Sequence, residues 1–384
     1  MIDQHNIQSE IDRRQILSLF AGLGAASLLS ACGGQGSGGA DGELVDLRGR
    51  SFTASSLPAR LSIDDGRYLI ALALIHPDPV SLLAAWSGDV NRVGTETFAE
   101  YERRFPAISK LARTAPSNEP FQVEPVLAAR PDVALVSLGS GPTDTQVAQL
   151  EGAGVSVAFI DFFSHPFENQ EASMKLLGVL TGRSEQAEAY NAFRKERLNR
   201  IAERVHDLPQ DQRPTVFLEP HAGITPECCN SPGQGNVGDY ISFVGGRNIG
   251  ADLINQPSGK LSLEYVISRD PDVYIVTGGP HMEKAGGFVI GPSYTPAQSQ
   301  EGLDRVTSRS GISTLRTVRE GRVLGLSHQL VNSPIDVIAV EVLARWIHPD
   351  LFRDVDPAAT LAEINRRFLA VPYPGEYWAE WRGA

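Results

Sequence analysis

The chain of 384 residues is 42% hydrophobic and 21% charged, with a formal net charge of −12. Such a length holds two lobes with separate cores, and the composition is that of a folded globular protein rather than a disordered or fibrous one. The acidic balance, with no Lys/Arg-rich run set against it, excludes the usual basic footprint of a nucleic-acid binder.

The first 32 residues read as an address. Asp12-Arg13-Arg14-Gln15-Ile16-Leu17 sets paired arginines ahead of a mildly apolar run, Leu17 to Ala31, diluted by Ser18, Gly22, Gly24 and Ser27 and too short to span a bilayer comfortably. The pattern resembles a twin-arginine export signal. Leu29-Ser30-Ala31-Cys32 resembles a lipobox, in which Cys32 is lipidated and becomes the first mature residue. The Gly-rich stretch behind it is a flexible tether. The expected partition is a signal over 1–32, a tether over 33–56, an N-terminal α/β lobe over 57–166, an interlobe spine over 167–206 and a C-terminal α/β lobe over 207–384. This places the protein in the periplasm, held to a membrane by lipid.

Leu61-Ser62-Ile63 and Tyr68 to Ile75 read as strands, the second ending in the turn His76-Pro77-Asp78-Pro79, and Val80 to Trp86 and Phe98 to Phe105 read as helices. Val123 to Ala129, Val133 to Leu138, Thr145 to Ala153 and Val155 to Ile160 alternate helix and strand as βαβ units require. From Phe167 to Val205 apolar positions recur at helical steps, interrupted at Thr181-Gly182-Arg183-Ser184. That stretch predicts two collinear or slightly kinked helices, a spine between two α/β lobes with the ligand cleft between them.

Beyond the spine, Thr215 to Glu219, Val273 to Thr277 and Arg322 to Leu326 read as strands. Val237 to Val244, Leu263 to Ser268, Arg309 to Glu320, Ile335 to Trp346 and Ala358 to Leu369 read as helices. Polar loops over 220–230, 278–300 and 327–334 follow strands, where α/β folds place ligands. Arg130-Pro131-Asp132-Val133 is echoed by Asp270-Pro271-Asp272-Val273, each leading from a helix into a buried strand. Cys228 and Cys229 are adjacent, and in an oxidising compartment they form a vicinal disulfide or a paired-thiol wall of the cleft. A soft-metal site would need further ligands that the spacing does not supply.

Several short motifs occur in a telling order. Pro131-Asp132-Val133, Gln149-Leu150-Glu151-Gly152-Ala153-Gly154-Val155 and Leu177-Gly178-Val179-Leu180-Thr181-Gly182-Arg183 resemble the first lobe and spine of class III bacterial substrate-binding proteins. Gly245-Gly246-Arg247-Asn248-Ile249, Ser262-Leu263-Glu264, Asp270-Pro271-Asp272-Val273, Val318-Arg319-Glu320-Gly321-Arg322-Val323 and Leu343-Ala344-Arg345-Trp346-Ile347-His348-Pro349-Asp350-Leu351-Phe352 resemble their second lobe. Those proteins deliver ferric siderophores, haem or cobalamin to ABC importers. The resemblance implies an α/β fold of two Rossmann-like lobes joined by a long rigid helix. It implies a monomeric carrier without cofactor or catalysis, whose partners are an ABC permease with its ATPase, a small iron complex and the membrane through its lipid.

A siderophore complex is large, polar and usually anionic, so its site calls for aromatic walls and for Arg, His or free N–H groups. The loops at the expected cleft offer His76, Phe162, Phe163, His165, His221, Cys228, Cys229, His281, Tyr294 and His328. Docking on the permease, by the same resemblance, falls to one carboxylate per lobe. Glu100 is taken from Glu96, Glu100 and Glu102, and Asp239 stands beside the aligned Ser242. Gly233-Gln234-Gly235-Asn236-Val237-Gly238 matches a dinucleotide fingerprint in form but lacks the strand immediately before it, and reads as a loop capping the next helix. Haem, cobalamin or a metal oxyanion are the alternative cargoes, and an exported thiol redox protein is the rival of a different class. Nucleophile-elbow and zinc-hydrolase motifs do not occur.

Overall fold

A computed structural model describes residues 43–383 apart from 117 and 118, so the signal, Cys32 and the first part of the tether lie outside the described residues. The remainder of the expected tether is folded. β1 (Leu44–Val45) and β2 (Ser51–Phe52) pair as an antiparallel hairpin. Its turn is closed by Asp46, whose carboxylate accepts the N–H groups of Arg48 and Arg50, and Leu47 N–H donates to Phe159 O at 3.1 Å.

Two five-stranded sheets carry the architecture. The first combines β3 (Leu61–Ile63), β4 (Leu83–Trp86), β5 (Ala112–Arg113), β6 (Val133–Ser137) and β7 (Ser156–Ile160), all parallel, in the order β5-β4-β3-β6-β7. In the second lobe β8 (Thr215–Glu219) follows the interlobe helices, and β9 (Asn230–Pro232) pairs outside the sheet with β11 (Ser258–Lys260). The sheet itself adds β10 (Arg247–Asn248), β12 (Val273–Gly278), β13 (Val323–Ser327) and β14 (Trp378–Glu380) in the order β10-β8-β12-β13-β14. Only β14, which the sequence did not suggest, runs antiparallel.

Tyr68–Ile75 is a helix, not a strand, and Leu83–Trp86 is a strand, not part of a helix. All eight residues of that helix are buried, so it has no polar face to impose a 3.6-residue period, and a short apolar run of this kind does not distinguish the two structures. In the other lobe, the helix Pro296–Thr307 begins inside the expected loop 278–300 and runs past its end. It is started by a Thr295/Gln298 capping box and by Pro296 in its first turn. Arg309 to Glu320 holds only the short turns Ile312–Thr314 and Arg316–Arg319.

The spine is not collinear. Pro166–Leu180 and Ser184–Val205 fold back on each other as an antiparallel hairpin, with Asn191 Nδ2 donating to Glu171 O and Arg194 reaching Pro166 O. A Cβ at Gly178 would lie 2.6 Å from Ala187 Cβ, so glycine sets the spacing of the hairpin. We expect Gly178→Ala to lower stability by about 1–3 kcal/mol through overpacking, read as a lower urea midpoint at unchanged slope. The second helix, 22 residues and so roughly 33 Å long, packs on both the Tyr68–Ile75 helix and the Val337–Ile347 helix and is the strut between lobes. One large apolar core is continuous through it, and two smaller clusters cover the outer sheet faces.

The Arg-Pro-Asp-Val echo has a structural meaning. Arg130 and Asp270 both end a helix in the left-handed region, and Asp132 and Asp272 each accept the first N–H of the neighbouring strand segment, from Arg60 at 2.7 Å and Thr215 at 2.8 Å. Among the described residues no helix is long and apolar enough to cross a membrane.

Candidate functional site

Parallel strands end with their loops on one edge of each sheet, and the two edges face each other. The cleft between them is about 510 Å³, within the range of small-molecule sites. From the first lobe it is lined by Arg67 after β3, Arg92 after β4, Ser137, Gly139 and Ser140 at the end of β6, and Phe163 and Ser164 after β7. From the second lobe come His221 after β8, Asn236, His281 after β12, and His328, Gln329 and Asn332 after β13.

The first-lobe wall presents two arginines, both held in ion pairs, Arg67 with Asp65 and Arg92 with Asp65 and, at 3.5 Å, with Asp89. Asp65 takes two hydrogen bonds from the Arg67 side chain, at 2.9 and 2.7 Å, and one from Arg92 at 3.1 Å. Against its burial, these two guanidinium groups hold the Asp65 carboxyl down to about 2. Arg67 lies 3.4 Å over the ring of Phe163, which itself stacks on Tyr68 at 5.7 Å, so the guanidinium plane is fixed from two sides. Behind the wall, Asp64 accepts from Ser137 N–H and Oγ–H at 2.8 and 3.0 Å. Burial, with the charges of Asp65 and Asp89 added, pushes the Asp64 carboxyl up to about 7. Asp161 also borders the cleft, but its oxygens are engaged by the N–H groups of Phe163, Ser164 and His165 and by Asn169.

Three imidazoles form the opposite wall. His221 Nδ1 and His281 Nε2 are 2.8 Å apart, and the His221 ring lies 4.0 Å from that of His328. Asn332 Nδ2 donates to His328 Nε2 at 3.0 Å, which leaves Nδ1 as the protonated nitrogen facing Thr277 Oγ1 at 2.9 Å. Burial pushes all three imidazoles down, His221 to about 4 with a further contribution from His281, and His328 well below its ordinary value. They are therefore neutral at neutral pH and offer both lone pairs and N–H donors. His221 and Asn236 hold positive φ, +53° and +48°, an uncommon conformation that surrounding contacts must enforce. Asn236 N–H reaches across to Ser164 O at 3.2 Å, a direct link between lobes.

Of the residues singled out in sequence, the cleft brings together Phe163, His221, His281 and His328. His76 caps the Tyr68–Ile75 helix, its ring on Asp78 O at 2.7 Å, because the supposed strand before it is a helix that carries it away from the strand ends. Phe162 is fully buried in the core. His165 is exposed ahead of the Pro166 helix and does not line the cleft. Tyr294 donates to Glu283 in a side groove that touches His281 and Gln329, outside the main cavity. Cys228 and Cys229 are bonded to each other and do not line the cavity.

Glu100 is engaged by Arg103 and Arg104, and Asp239 accepts Gly235 N–H at 3.0 Å. Gly233 and Gly238 of the fingerprint-like stretch are required by packing, since a Cβ would meet Ile254 O at 2.2 Å or Gly233 O at 2.1 Å. Arg67, Arg92, Ser137, Asn236, Gln329 and Asn332 were not foreseen. The signal for Arg67 was the polar turn Asp64-Asp65-Gly66-Arg67 directly after β3, obscured by reading the next eight residues as a strand. Among the described residues, no group of three or more His, Cys, Asp or Glu side chains is placed to hold a metal ion by itself.

Residues 72–330 match the family model described as periplasmic binding protein. An ABC transporter substrate-binding lipoprotein of Bacillus subtilis, YvrC, is 22% identical over 265 residues, 68% of this chain and 74% of that one. A cobalamin-binding protein of Halobacterium salinarum is 31% identical over 207 residues, about half of either chain at 52% each. Among solved structures, the TroA-like periplasmic binding protein FepB from Veillonella parvula superposes with a TM-score of 0.77 at 25% identity, covering 88% of this chain and 99% of its own.

Proposed function

The chain belongs to the periplasmic binding protein family, whose members are substrate-binding components of ABC importers and not enzymes, and on that premise we propose that its cleft captures a ferric siderophore for delivery to a permease and its ATPase. The observation that carries this reading is the pairing of two arginines on one wall with three neutral imidazoles on the other. Guanidinium groups suit the carboxylate, catecholate or hydroxamate oxygens of an anionic Fe(III) chelate, and neutral imidazoles suit its metal or its acceptor atoms. Among the described residues Phe163 is the one Phe, Tyr or Trp side chain lining the cleft, so a porphyrin or corrin face would find no broad apolar platform there. Export and lipid anchoring through Cys32 belong to the same reading.

Cobalamin is the second reading, favoured by the relatives named for it. Tryptophan fluorescence of the protein, titrated with ferric and iron-free siderophores, haem and cyanocobalamin, separates the two. Saturable quenching by one ferric complex at submicromolar concentration, absent with its iron-free form, is the expected result. Saturation by cyanocobalamin with no response to any ferric complex would overturn it. Arg92→Gln is expected to weaken the ferric complex roughly 10- to 100-fold, the worth of about 1.5–3 kcal/mol for a hydrogen bond to a charged group.

A further inference from the structure

Ligand space does not end at the imidazole wall. His221, Asn236, His328 and Asn332, which line the cleft, also line a side chamber of about 420 Å³ whose walls come from the second lobe. Part of that wall is the ribbon that β9 and β11 form outside the main sheet, with Asn230 and Ser231 from one strand and Ser258 and Gly259 from the other. The two spaces differ in charge. Arg67, Arg92 and Asp161 line the cleft, whereas among the described residues no Asp, Glu, Lys or Arg lines the chamber.

The chamber is polar all the same. The side chains of Asn230, Asn236 and Ser258 hold no hydrogen bond to another described residue. Each Asn offers an acceptor oxygen and two N–H donors, and the serine offers a hydroxyl. Asn236 is held in place by its backbone, at φ +48° with its N–H on Ser164 O at 3.2 Å. An ion in this chamber would meet no opposite charge, and a hydrocarbon would cover the amides without pairing them, which costs free energy in either case. A neutral group that both donates and accepts is the occupant that leaves nothing unpaired.

We propose that the cargo has two parts, an iron-chelating head in the cleft and a neutral arm, bearing amide or hydroxyl groups, that passes His221 and His328 into the side chamber. The head rests on the siderophore reading, and the arm on the chamber's own lining. The neutral imidazoles at the junction suit both parts, since each ring has one nitrogen that accepts and one that donates.

The test uses two probes matched in charge, the Fe(III) complexes of a catechol carboxamide, which has no arm, and of the same carboxamide extended by glycyl-glycinamide. Quenching of tryptophan fluorescence gives both dissociation constants. We expect the armed complex to bind roughly tenfold more tightly, the worth of one or two net hydrogen bonds. Ser258→Phe, at an exposed position of the ribbon, adds a ring to the chamber's lining and should bring the two complexes to one affinity. Asn230→Ala, which removes an amide without adding bulk, should lower the ratio in part. Equal affinities in the unaltered protein, or an advantage of the arm that survives Ser258→Phe, would overturn the proposal. Acetyl-glycyl-glycinamide without iron tests the chamber by itself. At millimolar concentration it should move the NMR ring signals of His221 and His328, leave that of His76 in the other lobe, and lose this effect in Ser258→Phe. Unmoved His221 and His328 signals would overturn the arm whatever the iron complexes do. Peptide shifts with no binding of either iron complex would instead overturn the iron-chelating head, and the siderophore reading with it.

Discussion

Replacing Arg194 by methionine is expected to lower the free energy of unfolding by roughly 3–5 kcal/mol, the cost of leaving a buried charge without its partner. Arg194 stands on the interlobe strut and donates to both oxygens of Asp336 at 2.9 and 2.8 Å, where Tyr240 O–H adds a third bond at 2.8 Å. Both members of the pair are buried. Asp336 closes the segment that carries His328 and Asn332, and the one Tyr240 O–H is shared between Asp336 and Val331 O, so the pair fixes the second-lobe wall of the cleft to the strut. Urea unfolding gives the loss directly. The double variant Arg194→Met/Asp336→Leu should regain much of it, because removing both charges also removes the desolvation penalty. A single variant that costs nothing would mean that water reaches Asp336.

Asp64→Asn is expected to raise stability at pH 8 by up to about 4 kcal/mol and to leave it nearly unchanged at pH 4, from a carboxyl moved from 3.8 to about 7. In the folded chain Asp64 keeps its proton up to about pH 7, while in the unfolded chain it loses it near its ordinary value. Over that window the unfolded state binds fewer protons, so stability falls as pH rises and the whole cost is present above pH 7. Asparagine carries no charge and removes that slope. Its amide oxygen can accept the Ser137 N–H that Asp64 now receives at 2.8 Å. Thermal unfolding of both proteins from pH 4 to pH 8 measures the difference, and parallel curves would refute it. Because Ser137 lines the cleft, a protonated Asp64 also spares an anionic ligand one nearby negative charge at mildly acid pH.

Local chemistry by itself determined much of this protein. The acidic composition, the strands β6, β7, β8, β12 and β13, the Ser184–Val205 helix and the Asp132/Asp272 echo follow from runs of apolar residues and from turn signals that act within a few residues of the chain. The three histidines of the cleft were found because each follows closely on a parallel strand end, which is a rule of connectivity and not of packing.

Tertiary structure alone decided the rest. Whether Tyr68–Ile75 is helix or strand depends on being surrounded on every side, since a segment without a polar face carries no period. That single assignment decided that Arg67, and not His76, enters the cleft. The two spine helices fold back at the local turn through Gly182, whose φ is +66°, and how closely they then pack is set by the fit of Gly178 against Ala187, a contact made only once both helices exist. The partners that make Arg67, Arg92 and Arg194 structural as well as functional lie close by for Arg67 and 142 residues away for Arg194, and burial, which sets the state of Asp64 and of the imidazoles, belongs to the folded chain and not to any stretch of it.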